Sequence, residues 1–175
     1  MSREISTAVS GLSLRPAQSK DVPVILQFIR ELAEFEHLTH EVVADESSLQ
    51  RSLFGPRPTA EVVIADYDGS PGGFALFFPT FSTFVGRPGL YLEDLYVRPH
   101  LRGRGIGSVL VRHLAQLAVE RGCGRFEWAV LDWNSRAIDF YEAIGAVPMK
   151  DWMVYRLSGP ALSALSDTVE DEPAG

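Results

Sequence analysis

Residues 91–108 read Tyr-Leu-Glu-Asp-Leu-Tyr-Val-Arg-Pro-His-Leu-Arg-Gly-Arg-Gly-Ile-Gly-Ser, and the rest of the chain is arranged around them. The apolar and aromatic run from Leu90 to Val97 predicts a buried strand, interrupted by two carboxylates, Glu93 and Asp94. A turn follows at Arg98-Pro99-His100. The basic, glycine-rich segment Arg102-Gly103-Arg104-Gly105-Ile106-Gly107-Ser108 comes next, and it opens a long helical pattern. Strand, loop and helix N-terminus in that order suit a phosphorylated ligand. Small residues let the main chain approach phosphate oxygens, unpaired amides at the helix start point at the anion, and the helix dipole adds to the attraction.

The loop is not a Walker motif, because no Gly-Lys-Ser/Thr closes it. It is not the dinucleotide fingerprint either: Gly103 and Gly105 fit its first two glycines, but Ser108 stands where the third belongs. What remains is Arg-x-x-Gly-x-Gly, filled by Arg102, Gly105 and Gly107. The plain alternative is a turn with no ligand, but such a turn needs one glycine and this one has three.

Outward from this stretch, 175 residues suit one domain with a sizeable core. No apolar run reaches the ~20 residues of a membrane-spanning helix. Met1 to Ser13 lack the pattern of a signal peptide. The single cysteine, Cys123, excludes an intrachain disulfide, and with no export signal a cytoplasmic protein is expected. Net charge is −7; the segment from Ser158 to Gly175 holds four carboxylates and no Lys or Arg, and removing those four charges leaves −3 for the body. Neither value suits nucleic acid.

In chain order, residues 1–11 are small and polar and are expected to be disordered. Leu12–Arg15 predicts a first strand, ended by Pro16. Asp21 is placed to cap a helix that carries Val22, Ile25, Leu26, Ile29, Leu32 and Phe35 at helical spacing and ends near Glu36-His37. A second helix is expected from Asp45 to Leu53, with Asp45 as its cap. Strands follow at Glu61–Ala65 and Gly72–Phe78, joined by an Asp68-Gly69 turn and broken at Pro79. A loop over 80–88 leads into the strand at Leu90. The helix after the glycine loop ends at Gly122, and a strand is expected at Phe126–Leu131. A helix capped by Asn134 and closed by Gly145 comes next, then a last strand at Met153–Leu157, a short helix near Pro160–Leu165 and an acidic tail, 166–175, expected to be disordered. The body, 12–165, reads as one α/β domain with a mixed sheet.

The Arg-x-x-Gly-x-Gly loop in this setting resembles the coenzyme A loop of the GNAT acetyltransferase superfamily. Residues 91–97, 102–108 and 132–145, with Arg30-Glu-Leu-Ala-Glu-Phe-Glu36, resemble its diamine acetyltransferase branch, which holds the spermidine/spermine enzymes and their thialysine-acetylating relatives. Ala129-Val-Leu-Asp-Trp-Asn134 is more similar to the thialysine relatives. The resemblance implies a GNAT fold, with a mixed, mostly antiparallel central sheet flanked by helices. It also implies acetyl-CoA as co-substrate, a small amine as acceptor and a homodimer. No metal is assigned, because His37, His40 and His100 lack ligand spacing and His113 is expected to face solvent.

An amine must lose a proton before it attacks a thioester, the leaving thiolate needs a proton, and the oxyanion needs a donor. The resemblance implies direct transfer in a ternary complex, which agrees with the lack of a Ser-His or Cys-His signature. It assigns Tyr141 as the acid, on the helix face shared with Asn134 and Ala137. Glu93 is assigned to the substrate amine, as anchor or as base through water. Asp94, adjacent on the strand and so expected on the opposite face, is left as a buried hydrogen-bond acceptor. The implied cofactor residues are Leu95, Tyr96, Val97, Arg102, Gly103, Arg104, Gly105, Ile106, Gly107, Ser108, Asn134 and Ala137. The implied amine-binding residues are Phe35, Glu36, Ser82, Thr83, Glu93, Glu127, Trp128 and Ala129.

Typical polyamine enzymes carry tyrosine at the position of Phe35, aspartate at Ser82 and tryptophan at Phe84. Here the segment from Gly145 to Trp152 is also shorter and Lys150 brings positive charge. These departures disfavour spermine and favour a short amine such as thialysine or a short diamine. A polyamine enzyme, a protein or peptide N-acetyltransferase and a silent CoA-binding module stay open as alternatives.

Overall fold

The computed structural model describes residues 5–167 and divides the chain into two compact units, Met1–Ala129 and Val130–Gly175, where the sequence suggests one domain. The first unit holds a six-stranded sheet in the order β1-β2-β3-β4-β5-β6: Ile5–Ser6, Leu12–Pro16, Glu61–Tyr67, Ser70–Ser82, Arg87–Val97 and Arg125–Trp128. All pairings are antiparallel except β5 with β6, so the sheet is mixed and mostly antiparallel, as expected. The helices are α1, Val22–Phe35; α2, Glu46–Phe54; and α3, Ile106–Glu120.

Alternation along the strands sends side chains to two cores. Val63 and Ala65 of β3 and Ala75 and Phe77 of β4 pack with Ile106, Leu110 and Leu114 of α3. Val62, Ile64 and Phe74 pack on the other face with Ile25 and Phe28 of α1 and Leu53 of α2. Each helix thus buries its apolar stripe, which supplies most of its stability. Asp45 caps α2 as expected, its carboxylate accepting from the Ser48 amide at 2.7 Å. Gly122 closes α3, with Cys123 N–H reaching back to the Ala118 carbonyl at 2.9 Å.

Several expectations are corrected. Part of the stretch expected to be disordered is ordered: Ile5 and Ser6 pair with β2, while residues 1–4 lie outside the described set. Asp21 makes no side-chain cap for α1; its carboxylate takes both terminal nitrogens of Arg15, at 2.7 and 3.0 Å, and the Gln18 amide. β4 does not break at Pro79 but continues to Ser82. The pairing of β3 with β4 begins only at Glu61↔Phe77, so Pro79 lies where one edge of β4 is open and no donor is missed there. His113 is half-buried, and burial pushes its imidazole below the usual histidine range against a weaker pull from Glu120.

The second unit holds α4, Ser135–Ala143, and α5, Gly159–Asp167. No strand forms at 153–157, and β6 stops at Trp128 short of the expected Leu131. A strand persists only when a neighbour pairs with it, and the described residues offer none to 153–157. The acidic end of the chain beyond Asp167 lies outside the described residues.

Candidate active site

The site in the first unit starts from one inserted residue. Leu76 pairs with Asp94, but its neighbour Phe77 pairs with Leu92, so Glu93 is the extra residue of a β-bulge. The bulge switches the facing of β5. Before it, Leu90 and Leu92 lie in the α3-side core; after it, Leu95 and Val97 do, while Tyr96 joins the core under α1. Regular alternation between Glu93 and Asp94 is therefore lost, and the expectation of strictly opposite faces is corrected. Glu93 is exposed at the bulge. Asp94 is largely buried and has no hydrogen bond to its carboxylate among the described residues, so it is not the buried acceptor the sequence suggests. Burial first, then the charges of Glu93 and Glu36, push its pKa from the ordinary 3.8 to about 6. Glu36, at the end of α1, is also raised by burial.

The same region opens the sheet. β6 pairs with β5 only from Gly89↔Arg125 to Leu92↔Trp128. From Glu93 to Val97, β5 keeps β4 on one side and has no strand on the other among the described residues. Leu95, Tyr96 and Val97 therefore line an unpaired edge.

The glycine loop follows at once. Gly103 and Gly105 have φ of 80° and 82°, the left-handed region that side chains disfavour. Gly105 is the N-cap of α3 and supplies no side-chain cap; the helix ladder begins with Val109 N–H to the Gly105 carbonyl at 3.0 Å. The amides of Ile106, Gly107 and Ser108 precede that ladder and are the orphan donors of a helix start. A Cβ at Gly107 would meet nothing within 4 Å. Neither packing nor backbone requires glycine there, and glycine weakens a helix by about 1 kcal/mol. Gly107 thus leaves the start of the helix open on that side.

The two loop arginines are held by aromatic rings. Arg102 donates from Nε to the Val97 carbonyl at 2.9 Å and lies over Phe35 at 4.5 Å. Arg104 lies over Tyr67 at 5.3 Å and donates to its hydroxyl at 3.0 Å. Tyr67 carries no signal of this in the sequence, because it reads as an ordinary strand residue. The structure thus brings Glu36, Glu93, Asp94, the β5 edge and the glycine loop into one region, with Phe35 touching Arg102.

Of the other expected residues in the first unit, Ser82 and Thr83 do not join them, whereas Trp128, the partner of Leu92, ends β6 beside the bulge. Ser82 is 4% exposed, and its Oγ accepts from the Val85 amide at 3.3 Å inside the β4–β5 turn; Thr83 is exposed beside it. Ser82 lies six residues along β4 from Leu76, the partner of Asp94, which is about 20 Å at ~3.4 Å per residue. Glu127 pairs with Arg125 at 2.7 Å, Trp128 packs edge-on to Phe126 at 4.9 Å, and Ala129 is exposed. Among the described residues no group of ligands that could hold a metal is present, and no helix is long and apolar enough to cross a membrane.

The second unit carries the remaining expected residues on α4. Asn134 caps it, its side chain accepting from the Ala137 amide at 3.3 Å. Tyr141 follows one turn beyond Ala137 on the same face. Ala146 N–H bonds to the Tyr141 carbonyl at 3.0 Å and closes the helix at Gly145, as expected.

Residues 26–146 match the model of the acetyltransferase (GNAT) family. A thialysine N-epsilon-acetyltransferase of Mus musculus is 37% identical over 169 residues, which cover 90% of this chain and 99% of that protein. An L-ornithine N5-acetyltransferase of Arabidopsis thaliana is 34% identical, over 87% of this chain and 86% of its own length. Among solved structures, an integron cassette protein from the mobile metagenome of V. cholerae matches with a TM-score of 0.75 at 26% identity, covering 89% of this chain and 98% of that one.

Proposed function

We infer from what this chain is, a member of the acetyltransferase (GNAT) family and an N-acetyltransferase, that it moves an acetyl group from acetyl-CoA to a primary amine of a small molecule of the thialysine or short-diamine kind. The observation that carries the acyl-donor half is the junction of the open β5 edge with the uncapped start of α3. The pyrophosphate of coenzyme A fits the free amides of Ile106, Gly107 and Ser108, with Gly103 and Gly105 supplying the turn and Arg102 and Arg104 the positive charge. The peptide-like arm of the coenzyme fits the edge at Leu95, Tyr96 and Val97 as an added strand. When bound, the coenzyme supplies the thioester.

The residues of this chain bind the amine and manage its protons. Glu36 and Glu93 attract the ammonium, and Phe35 borders them. Glu93 serves as anchor or base, and Tyr141 protonates the departing sulfur, with Asn134 and Ala137 on the same face of α4. Asp94 is favoured as a second candidate for the base by a specific observation: its proton is held near pH 6, so it is poised to take a proton at neutral pH. The acceptor class is supported by the thialysine and ornithine names of the relatives, both amino acids with a side-chain amine. A homodimer is part of the same proposal, and light scattering of the purified protein checks it.

The experiment is release of free CoA from acetyl-CoA with thialysine, ornithine, putrescine, spermidine and spermine under one condition. The expected order places thialysine or ornithine first in kcat/KM. Spermine as the best acceptor would return the reading to the polyamine enzymes. No turnover with any amine, together with tight CoA binding, would return it to a silent binding module.

A further inference from the structure

Arg102 differs from most arginines of the first unit that hold the fold. Arg15 is spent on Asp21 and Asp66, Arg98 on Glu31 and the Pro71 carbonyl, and Arg121 on Glu61. Arg102 has no carboxylate partner among the described residues. Its Nε is fixed by the Val97 carbonyl at 2.9 Å, and its guanidinium carbon lies 4.5 Å from the centre of the Phe35 ring and 5.7 Å from that of Tyr96. Its two terminal nitrogens make no hydrogen bond among the described residues. The side chain is therefore held at its stem and against aromatic rings, while its fork stays uncommitted.

Phe35 is the last residue of α1, next to Glu36, and 38% of it is exposed. An aromatic ring in that position is a poor investment for core packing, since much of it faces water. A ring under a guanidinium has a different value: it attracts the cation and fixes the plane of the fork. A planar fork already fixed loses less freedom when it binds a phosphate in bidentate fashion.

We propose that Phe35 is a positioning residue of the acyl-donor site: its ring orients Arg102 so that the two free nitrogens are preorganised for a phosphate of coenzyme A. This rests on the acetyl-CoA reading above. It moves Phe35 from the amine side alone to the joint between the two substrates, since the end of α1 presents a carboxylate to the acidic region and a ring to the cofactor loop. Leucine at this position keeps apolar bulk but has no π face, whereas tyrosine keeps the face.

The test is calorimetric titration of CoA into the wild type, Phe35→Leu, Phe35→Tyr, Arg102→Ala and the Phe35→Leu/Arg102→Ala pair, with melting curves to confirm folding. Phe35→Leu is expected to raise the CoA Kd about five- to tenfold, and Phe35→Tyr to restore it. In the Arg102→Ala background Phe35→Leu is expected to add nothing, because the group it orients is gone. The KM for amine at saturating acetyl-CoA is expected to move less than the CoA Kd. An equal loss of CoA affinity in both backgrounds would make Phe35 merely structural and overturn the proposal. So would a change confined to the amine KM. A folded wild type that fails to bind CoA would overturn the acetyl-CoA reading and this proposal with it.

Discussion

Replacing Asp94 by asparagine should make the protein more stable at neutral pH and no more stable in acid. The carboxyl is largely buried, has no hydrogen bond among the described residues, and lies in the field of Glu93 and Glu36. Its pKa rises from 3.8 to about 6 on folding. A raised carboxyl pKa means that the folded state holds the proton more tightly than the unfolded chain. Below pH 3.8 both states are protonated and the group has no differential effect. As pH rises through the window from 3.8 to about 6 the folded state falls behind, and above it the full penalty applies. Raising the pKa from 3.8 to about 6 is worth about 3 kcal/mol. Asparagine has nearly the same shape and never ionises, so it escapes that penalty. The assay is urea unfolding of wild type and Asp94→Asn at a series of pH values from 4 upward. The difference in unfolding free energy should be small near pH 4, grow with pH and level off above about pH 7 at up to ~3 kcal/mol in favour of the variant. Parallel stability curves, or a variant less stable at pH 7.5, would refute the reasoning. Catalysis should move the opposite way if Asp94 takes the proton of the amine: the acidic limb of the pH–rate profile should change in Asp94→Asn.

Gly105→Asp places a side chain at φ 82° and a negative charge beside the orphan amides; CoA affinity should fall at least about tenfold, read by calorimetry on the folded variant. Tyr141→Phe should lower kcat by about 10²-fold with little change in CoA affinity, the scale of a general acid; wild-type turnover would make Tyr141 structural. Arg15→Leu strands the carboxylate of Asp21, where burial is the largest influence and pushes the pKa up, but the bonds from Arg15, the Gln18 amide and the nearby positive charges together hold it low. It should cost about 2–3 kcal/mol in urea unfolding, the lower side of the buried-pair range because Arg15 is partly exposed. Ser82→Asp should leave the ratio of spermine to thialysine kcat/KM unchanged, because Ser82 is buried in the turn at the far end of β4; a clear shift toward spermine would refute that.

The motif, most strands and most helix ends were legible because each rests on neighbours in sequence. Arg102 to Ser108 announce their loop, Asp45 and Asn134 their caps, and the apolar run Val62 to Ala65 its strand, though not which side chain enters which core. What was hidden depends on pairing between distant segments. Nothing in Leu-Glu-Asp-Leu says that Glu93 is an extra residue, since a bulge is defined by the partner strand, here Leu76 and Phe77. The continuation of β4 past Pro79 depends on where β3 starts. Asp21 reads as a cap from its position, but Arg15 and the Gln18 amide claim its oxygens first. The rings under Arg102 and Arg104 lie far away in the chain, at Phe35 and Tyr67.

The bulge at Glu93 ties these parts to chemistry. Without it, β5 would alternate regularly, and with Leu92 in the α3-side core Asp94 would point into that same apolar core. One extra residue turns Asp94 toward the face where α1 ends, which is where Glu36 and Phe35 stand. It also falls where β6 leaves β5, so the open edge and the turned carboxylate begin at the same place. In the proposed reading, a ligand that adds to the edge would end beside the carboxylates, and the helix start four residues past Arg102 would hold its anionic end. The burial that makes Asp94 costly is the same burial that brings its proton into the range where an amine can be relieved of one. Stability and activity are thus predicted to oppose each other at this single residue, and the pH series on Asp94→Asn reads both.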